Sequence, residues 1–188
     1  MATLILIRHG ESKANRQGIF AGQIDPDLQN KGIKQAQLTA KYIAENYNVD
    51  KIYSSDLQRA YKTAICLAEE LNIEVTRDKN LREINAGKWE GMKFSDLCVE
   101  YPEEYNIWLN HIGHSGCVGG ENVKQLGDRI MSALTKIAEE NEGKTVSNLH
   151  LLHWKVKSYP LNCQGSPSSA VPTTKSWPWC SPLTVFQL

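Results

Sequence analysis

Apolar positions along this chain alternate between short unbroken runs and stripes at helical spacing. Leu4, Ile5, Leu6 and Ile7 form a run too short to span a bilayer and suited to a strand buried on both faces. Ile33, Ala36, Ala40, Ile43 and Tyr47 recur at helical intervals, and Lys51-Ile52-Tyr53-Ser54 follows as a β-like run. Leu57, Ala60, Ala64, Leu67 and Leu71 make a second helical stripe. Ser55 and Gln58 have the spacing of a capping box there, which puts Arg59 in the first turn. Ile73-Glu74-Val75-Thr76 reads as a short strand, and Asn80 to Gly87 as a loop. From Phe94 to Gly120 the pattern weakens, as expected of an insertion lying over a sheet. Val123, Leu126, Ile130, Leu134 and Ile137 then predict a long amphipathic helix ended by Asn141-Glu142-Gly143, with a further strand starting at Gly143-Lys144-Thr145-Val146. Strands alternating with helices predict an α/β fold, a three-layer α/β/α sandwich around a mostly parallel sheet.

Composition changes this picture at one place. Ser147 to Leu188 holds five of the seven prolines, three of the five tryptophans and no acidic residue. No period of 3.6 or 2 is sustained there, so residues 1–146 read as the folded domain. Residues 147–188 read as an atypical Ser-, Pro- and Trp-rich tail, disordered or frameshifted, that leaves the fold incomplete at its C-terminus.

Charge and cysteine content set the class. Lys plus Arg and Asp plus Glu both number 21, so no global field draws the chain to nucleic acid or anionic membrane, and any anion site must be local. No leader-like segment or membrane-length apolar run is present, which makes a cytoplasmic protein the default expectation. The five cysteines show no C-x-x-C spacing and are expected to be reduced, with Cys66 a small packed residue in its helix.

The densest chemistry is Arg8-His9-Gly10-Glu11-Ser12, which directly follows the first predicted strand. Ligands of open α/β sheets bind beyond the carboxyl ends of the strands, and Gly10 permits a tight turn close to a ligand. Three further strings join it: Ser54-Ser55-Asp56-Leu57-x-Arg59-Ala60-x-x-Thr63-Ala64, Leu81-Arg82-Glu83-Ile84-x-x-Gly87-x-Trp89-Glu90-Gly91, and Gly119-Gly120-Glu121-Asn122. Together they resemble the histidine phosphatase superfamily, also called phosphoglycerate mutase-like, and within it the short phosphatase branch.

The resemblance implies a phosphomonoesterase that needs no metal or other cofactor and acts on a small phosphorylated substrate. His9 would be the nucleophile, forming a phosphohistidine, because a neutral imidazole nitrogen attacks phosphorus without removal of a proton from a strong base. Arg8 and Arg59 match the family's phosphate-binding arginines, whose planar forks meet two phosphate oxygens at once. Asn15 matches a further phosphate contact. Glu83 matches the residue that protonates the leaving oxygen and then assists water, a role that calls for a carboxyl raised by burial or by nearby phosphate. Glu83 taken alone also reads as a partner for Arg82. Gly22 and Gln23 match a loop at the substrate entrance and read equally as turn residues.

One element of the family pattern is missing. The family's second histidine usually stands in a Ser-His-Gly string after the last core strand, and this chain has no such string. Gly143-Lys144-Thr145-Val146 resembles the run-up to it, and His150 stands nearest the expected place, with His153 behind it. His111 and His114 read as polar residues of the insertion. Besides the phosphatase, a mutase-type phosphoryl transfer and a non-catalytic phosphate-ester binder remain open from the sequence.

Overall fold

A computed structural model describes residues 1–112, 115–149 and 183–187, and for Leu149 and 183–187 it describes the backbone alone. The parallel strands are β1 (Thr3–Ile7), β2 (Lys51–Ser54), β3 (Val75–Arg77) and β4 (Thr145–Leu149), and β5 (Leu183–Gln187) completes the sheet in the order β3-β2-β4-β1-β5. β4 is central, with Val146 opposite Leu4 on one side and opposite Lys51 on the other. β5 runs antiparallel along the outer edge of β1.

The helices are α1 (Lys13–Gln17), α2 (Asn30–Asn46), α3 (Gln58–Leu71), α4 (Phe94–Glu100), α5 (Pro102–Asn110) and α6 (Val123–Glu140). Side chains of β1 alternate between the faces of the sheet. Leu4 packs with Leu126, Ile130, Leu134 and Ile137 of α6 and with Leu97 and Tyr105 of α4 and α5. Ile5 and Ile7 pack with Ile43 of α2 and Ala64 and Leu67 of α3. Both faces are therefore covered, giving the expected mostly parallel sheet flanked by helices.

The structure corrects several local expectations. Ile33 does not join the inward stripe of α2; it is exposed, and Gly32 lies buried instead. The cause is a close backbone approach: a Cβ at Gly32 would stand 2.2 Å from the Glu11 carbonyl oxygen, so the helix start is fixed by a glycine contact and not by apolar burial. Ser55 does not cap α3, whose N-cap is Leu57. The Ser55 hydroxyl accepts from the Leu57 amide, and the Gln58 amide donates to Asp25 at 2.7 Å, so the cap comes from a distant loop. β3 starts at Val75 rather than Ile73 because α3 ends at Asn72 in the left-handed region (φ 54°) and the chain needs the next residues to leave the helix. The weakly patterned insertion contains α4 and α5, with Pro102 in the first turn of α5.

The change in composition after Val146 falls inside β4, which runs on through Ser147 and Asn148, and the tail supplies edge strand β5. Both Ser147 and Asn148 are wholly buried. Among the described residues, the Ser147 hydroxyl and both polar atoms of the Asn148 amide find no hydrogen-bond partner. His114, His150 and His153 lie outside the described residues.

Candidate active site

The end of β1 is locked from two sides. Gly10 leaves no room for a side chain, since a Cβ there would stand 2.1 Å from the Gly32 carbonyl oxygen of α2. The Gly10 amide donates to the Thr63 hydroxyl of α3 at 3.2 Å, and the Glu11 amide donates to Gln35 of α2 at 2.9 Å. These bonds satisfy a buried turn that would otherwise hold orphaned backbone groups, and they fix His9, which is 4% exposed.

His9 Nδ1 lies 2.5 Å from the Gly10 carbonyl oxygen. A carbonyl only accepts, so the short contact assigns the proton to Nδ1 and the lone pair to Nε2. The Arg59 Nε–H donates to that lone pair at 3.2 Å. The nitrogen able to attack thus faces a guanidinium that would also meet the incoming group.

Arg59 is 1% exposed in the first turn of α3. Its two terminal nitrogens donate to the carbonyls of Ile24 at 2.8 Å and Gly22 at 2.7 Å. Of the five guanidinium N–H groups, two have no partner among the described residues beyond these three bonds. Gly22 (φ 51°) is pressed against Ala86 and Glu90, where a side chain would collide. Burial lowers the pKa of Arg59 and of Arg8, with Glu83 the leading charge acting in the opposite sense; both guanidinium groups stay charged.

Glu83 is 6% exposed. Its Oε1 accepts from the Ile84 amide at 2.8 Å, while Oε2 has no partner among the described residues. Desolvation raises its carboxyl from 4.5 to about 7, against the opposing effects of the Ile84 amide, Arg59, Arg8 and Arg129. A carboxyl so placed is protonated part of the time at neutral pH and is suited to move a proton in either direction.

Arg129 of α6 holds the Glu83 segment from behind. It donates to both Glu121 oxygens at 2.8 and 2.7 Å and to the carbonyls of Asn80, Arg82 and Glu83. Arg82 is not the partner of Glu83: its fork meets both Asp56 oxygens at 2.6 Å, and the Asp56 carboxyl is held below its usual range mainly by that bond.

Arg8, His9, Asn15, Gly22, Arg59 and Glu83 line one cavity of about 390 Å³. Gln23 does not line it; the Gln23 amide donates to the Glu83 carbonyl at 3.1 Å and braces the site. Asn15 Oδ1 accepts from the Ser12 amide and hydroxyl, one half of the capping box that starts α1. Glu11, at the rim, pairs with Lys31 at 2.9 Å. Phe20, Phe94 and Trp108 also line the cavity and form a tilted aromatic cluster, with Phe20 5.4 Å from Trp108 and 5.6 Å from Phe94.

Sequence reasoning missed Arg129, Gln35 and these aromatics. Arg129 had a legible sign, because it lies three residues after Leu126 on α6 and eight residues after Glu121. Among the described residues no three His, Cys, Asp or Glu side chains are grouped to hold a metal ion, and no helix is long and apolar enough to cross a membrane.

Comparison with known proteins gives the arrangement a lineage. The sequence profile of the histidine phosphatase superfamily (branch 1) matches residues 4–153. Phosphoserine phosphatase 1 of Hydrogenobacter thermophilus is 36% identical over 146 residues, covering 78% of this chain and 69% of the relative. The metal-independent phosphoserine phosphatase of Arabidopsis thaliana is 35% identical over 147 residues, and the chain spans 61% of its length. Among solved structures, Bacillus stearothermophilus YhfR superposes with a TM-score of 0.74 at 30% identity, covering 80% of this chain and 74% of that one. Mycobacterial glucosyl-3-phosphoglycerate phosphatase in complex with VO3 superposes with a TM-score of 0.73 at 26% identity over 79% of this chain and 74% of that one. Sequence and fold agree, and the chain belongs to the histidine phosphatase superfamily.

Proposed function

We propose that this chain hydrolyses small phosphate monoesters by two in-line transfers through a phosphohistidine on His9, without a metal. The observation that carries the reading is the pairing, in one cavity, of a histidine whose Nε2 lone pair faces a guanidinium with a buried glutamate raised to about 7.

In the first step Nε2 bonds to phosphorus, the ester P–O bond breaks, and protonated Glu83 gives its proton to the departing oxygen. In the second, Glu83 as carboxylate takes a proton from water, the water oxygen bonds to phosphorus, the N–P bond breaks, and inorganic phosphate leaves. Arg8 and Arg59, with the Asn15 amide, would hold the equatorial oxygens whose charge must be matched throughout.

A second reading, a phosphate-ester binder without turnover, is favoured by one observation. Ser147 and Asn148 place polar atoms that have no partner among the described residues in the strand leading to the expected second histidine. Losing one phosphoryl-stabilising donor typically costs about 100- to 1,000-fold in rate, so slow turnover is expected even of the enzyme.

The test is phosphate release from a generic monoester in chelator, with acid-labile label captured on the protein after a quench. His9→Ala should abolish both signals. Equal rates in variant and parent would overturn the assigned nucleophile, vanadate binding without turnover would favour the binder, and label passing to an added phosphoglycerate would favour a mutase.

A further inference from the structure

Beyond the phosphoryl end, the cavity wall is apolar. Ile19, Phe20, Ile84, Phe94, Trp108 and Ile112 face the space that a leaving group would fill. The wall is preorganised: Phe20 meets Trp108 edge to face at 64°, and Trp108 meets buried Trp89 at 5.7 Å and 81°. Such edge-to-face packing holds each ring in place, so an aryl or alkyl group entering here displaces water without reordering the wall.

The charges in the cavity agree with this. Arg8 and Arg59 are its cations among the described lining residues, and the phosphoryl group requires both. The nearby Lys31 ammonium is paired with Glu11. Among the described lining residues, a leaving group carrying a carboxylate would meet Glu11, Glu83 and aromatic rings and no third cation. That is a poor site for the serine half of phosphoserine or for a glycerate.

We propose that the site is selective for phosphomonoesters of uncharged, apolar alcohols, above all aromatic ones, with Trp108 and Phe94 as specificity-determining residues. This rests on the phosphatase reading above. Covering about 100 Å² of apolar leaving-group surface is worth roughly 50-fold in kcat/KM.

The experiment compares 2-phenylethyl phosphate, ethyl phosphate and O-phosphoserine, all alkyl esters, so that leaving-group acidity does not dominate the comparison. The parent should favour the phenylethyl ester over ethyl phosphate by about 50-fold and over phosphoserine by more. Trp108→Ala should shrink the phenylethyl-to-ethyl ratio to a few-fold, and Trp108→Arg should raise phosphoserine relative to the phenylethyl ester. Ratios are taken on one preparation, so partial loss of folded protein cancels. Turnover with no phenylethyl preference, or a ratio unmoved by Trp108→Ala, overturns the subsite and leaves the phosphatase standing. If no ester turns over, titration with 2-phenylethylphosphonate and ethylphosphonate decides: tighter binding of the phenylethyl compound supports the subsite while the phosphatase reading fails, and equal binding overturns the subsite as well.

Discussion

Glu83→Gln should stabilise the folded chain in a strictly pH-dependent way, because the carboxyl that suits proton transfer is poorly suited to a dry interior. Desolvation is the main cause of its rise from 4.5 to about 7. Below about pH 4.5 the carboxyl is protonated in both folded and unfolded chains and contributes no difference. Between 4.5 and 7 the folded chain holds a proton that the unfolded chain has released, so stability falls as pH rises, and the full penalty is present above about 7. At 1.36 kcal/mol per pKa unit the penalty is about 3 kcal/mol. Glutamine is nearly the same shape, retains an oxygen for the Ile84 amide and never ionises. Any fixed misfit of its NH₂ against the arginines shifts all pH values alike. Urea unfolding of both proteins at pH 4.5, 6 and 8 should therefore give a difference that grows by about 3 kcal/mol in favour of the variant across the series. Other titrating groups are common to both proteins and cancel. A difference that stays constant with pH, or that moves toward the parent, would refute the buried-carboxyl reasoning, and phosphate release measured alongside should fall sharply.

Asn148→Val should raise Tm, since the buried amide on the central strand has no partner among the described residues for either polar atom, and removing it should recover about 1–3 kcal/mol. Gly10→Ala should lower both Tm and phosphate release, because the new Cβ would stand 2.1 Å from the Gly32 carbonyl oxygen and must push the His9 turn off α2. Arg129→Met leaves Glu121 without its fork and frees three carbonyls of the 80–83 segment, so urea unfolding should show a loss of about 3 kcal/mol, with kcat reduced more than KM is raised.

The apolar run of β1 and the stripes of α3 and α6 were readable because each repeats its period long enough to outvote chance. Arg59 and Glu83 could be given roles from their motifs, but their burial could not be read, since it depends on α6, the 22–24 loop and β1 meeting in space. The same blindness hid the cap of α3: Asp25 lies 33 residues from Gln58, whereas Ser55 stood in the locally correct position. Ile33 looked like a core residue and Gly32 drew no reading, because periodicity registers side chains and not a backbone pressed on a backbone. α4 and α5 span only 7 and 9 residues, too few turns for a stripe to emerge, and with them went the aromatic wall. In the tail, composition marked the change of character without revealing that Leu183–Gln187 pairs with β1.

The central position of β4 governs when the site comes into being. β1 leads into His9 and β2 leads into the helix of Arg59, yet the two strands do not pair; β4 lies between them, about 10 Å of sheet at the usual strand spacing. During synthesis the chain must emerge through Leu149 before that gap can close. Until then β2 and β3 can pair but β1 has no neighbour, and His9 and Arg59 are held on separate pieces of the fold. Assembly thus waits on a strand whose buried Ser147 and Asn148 carry side-chain polar atoms with no partner among the described residues, and a long-range pairing of this kind is the sort that forms slowly and leaves strand edges open to aggregation.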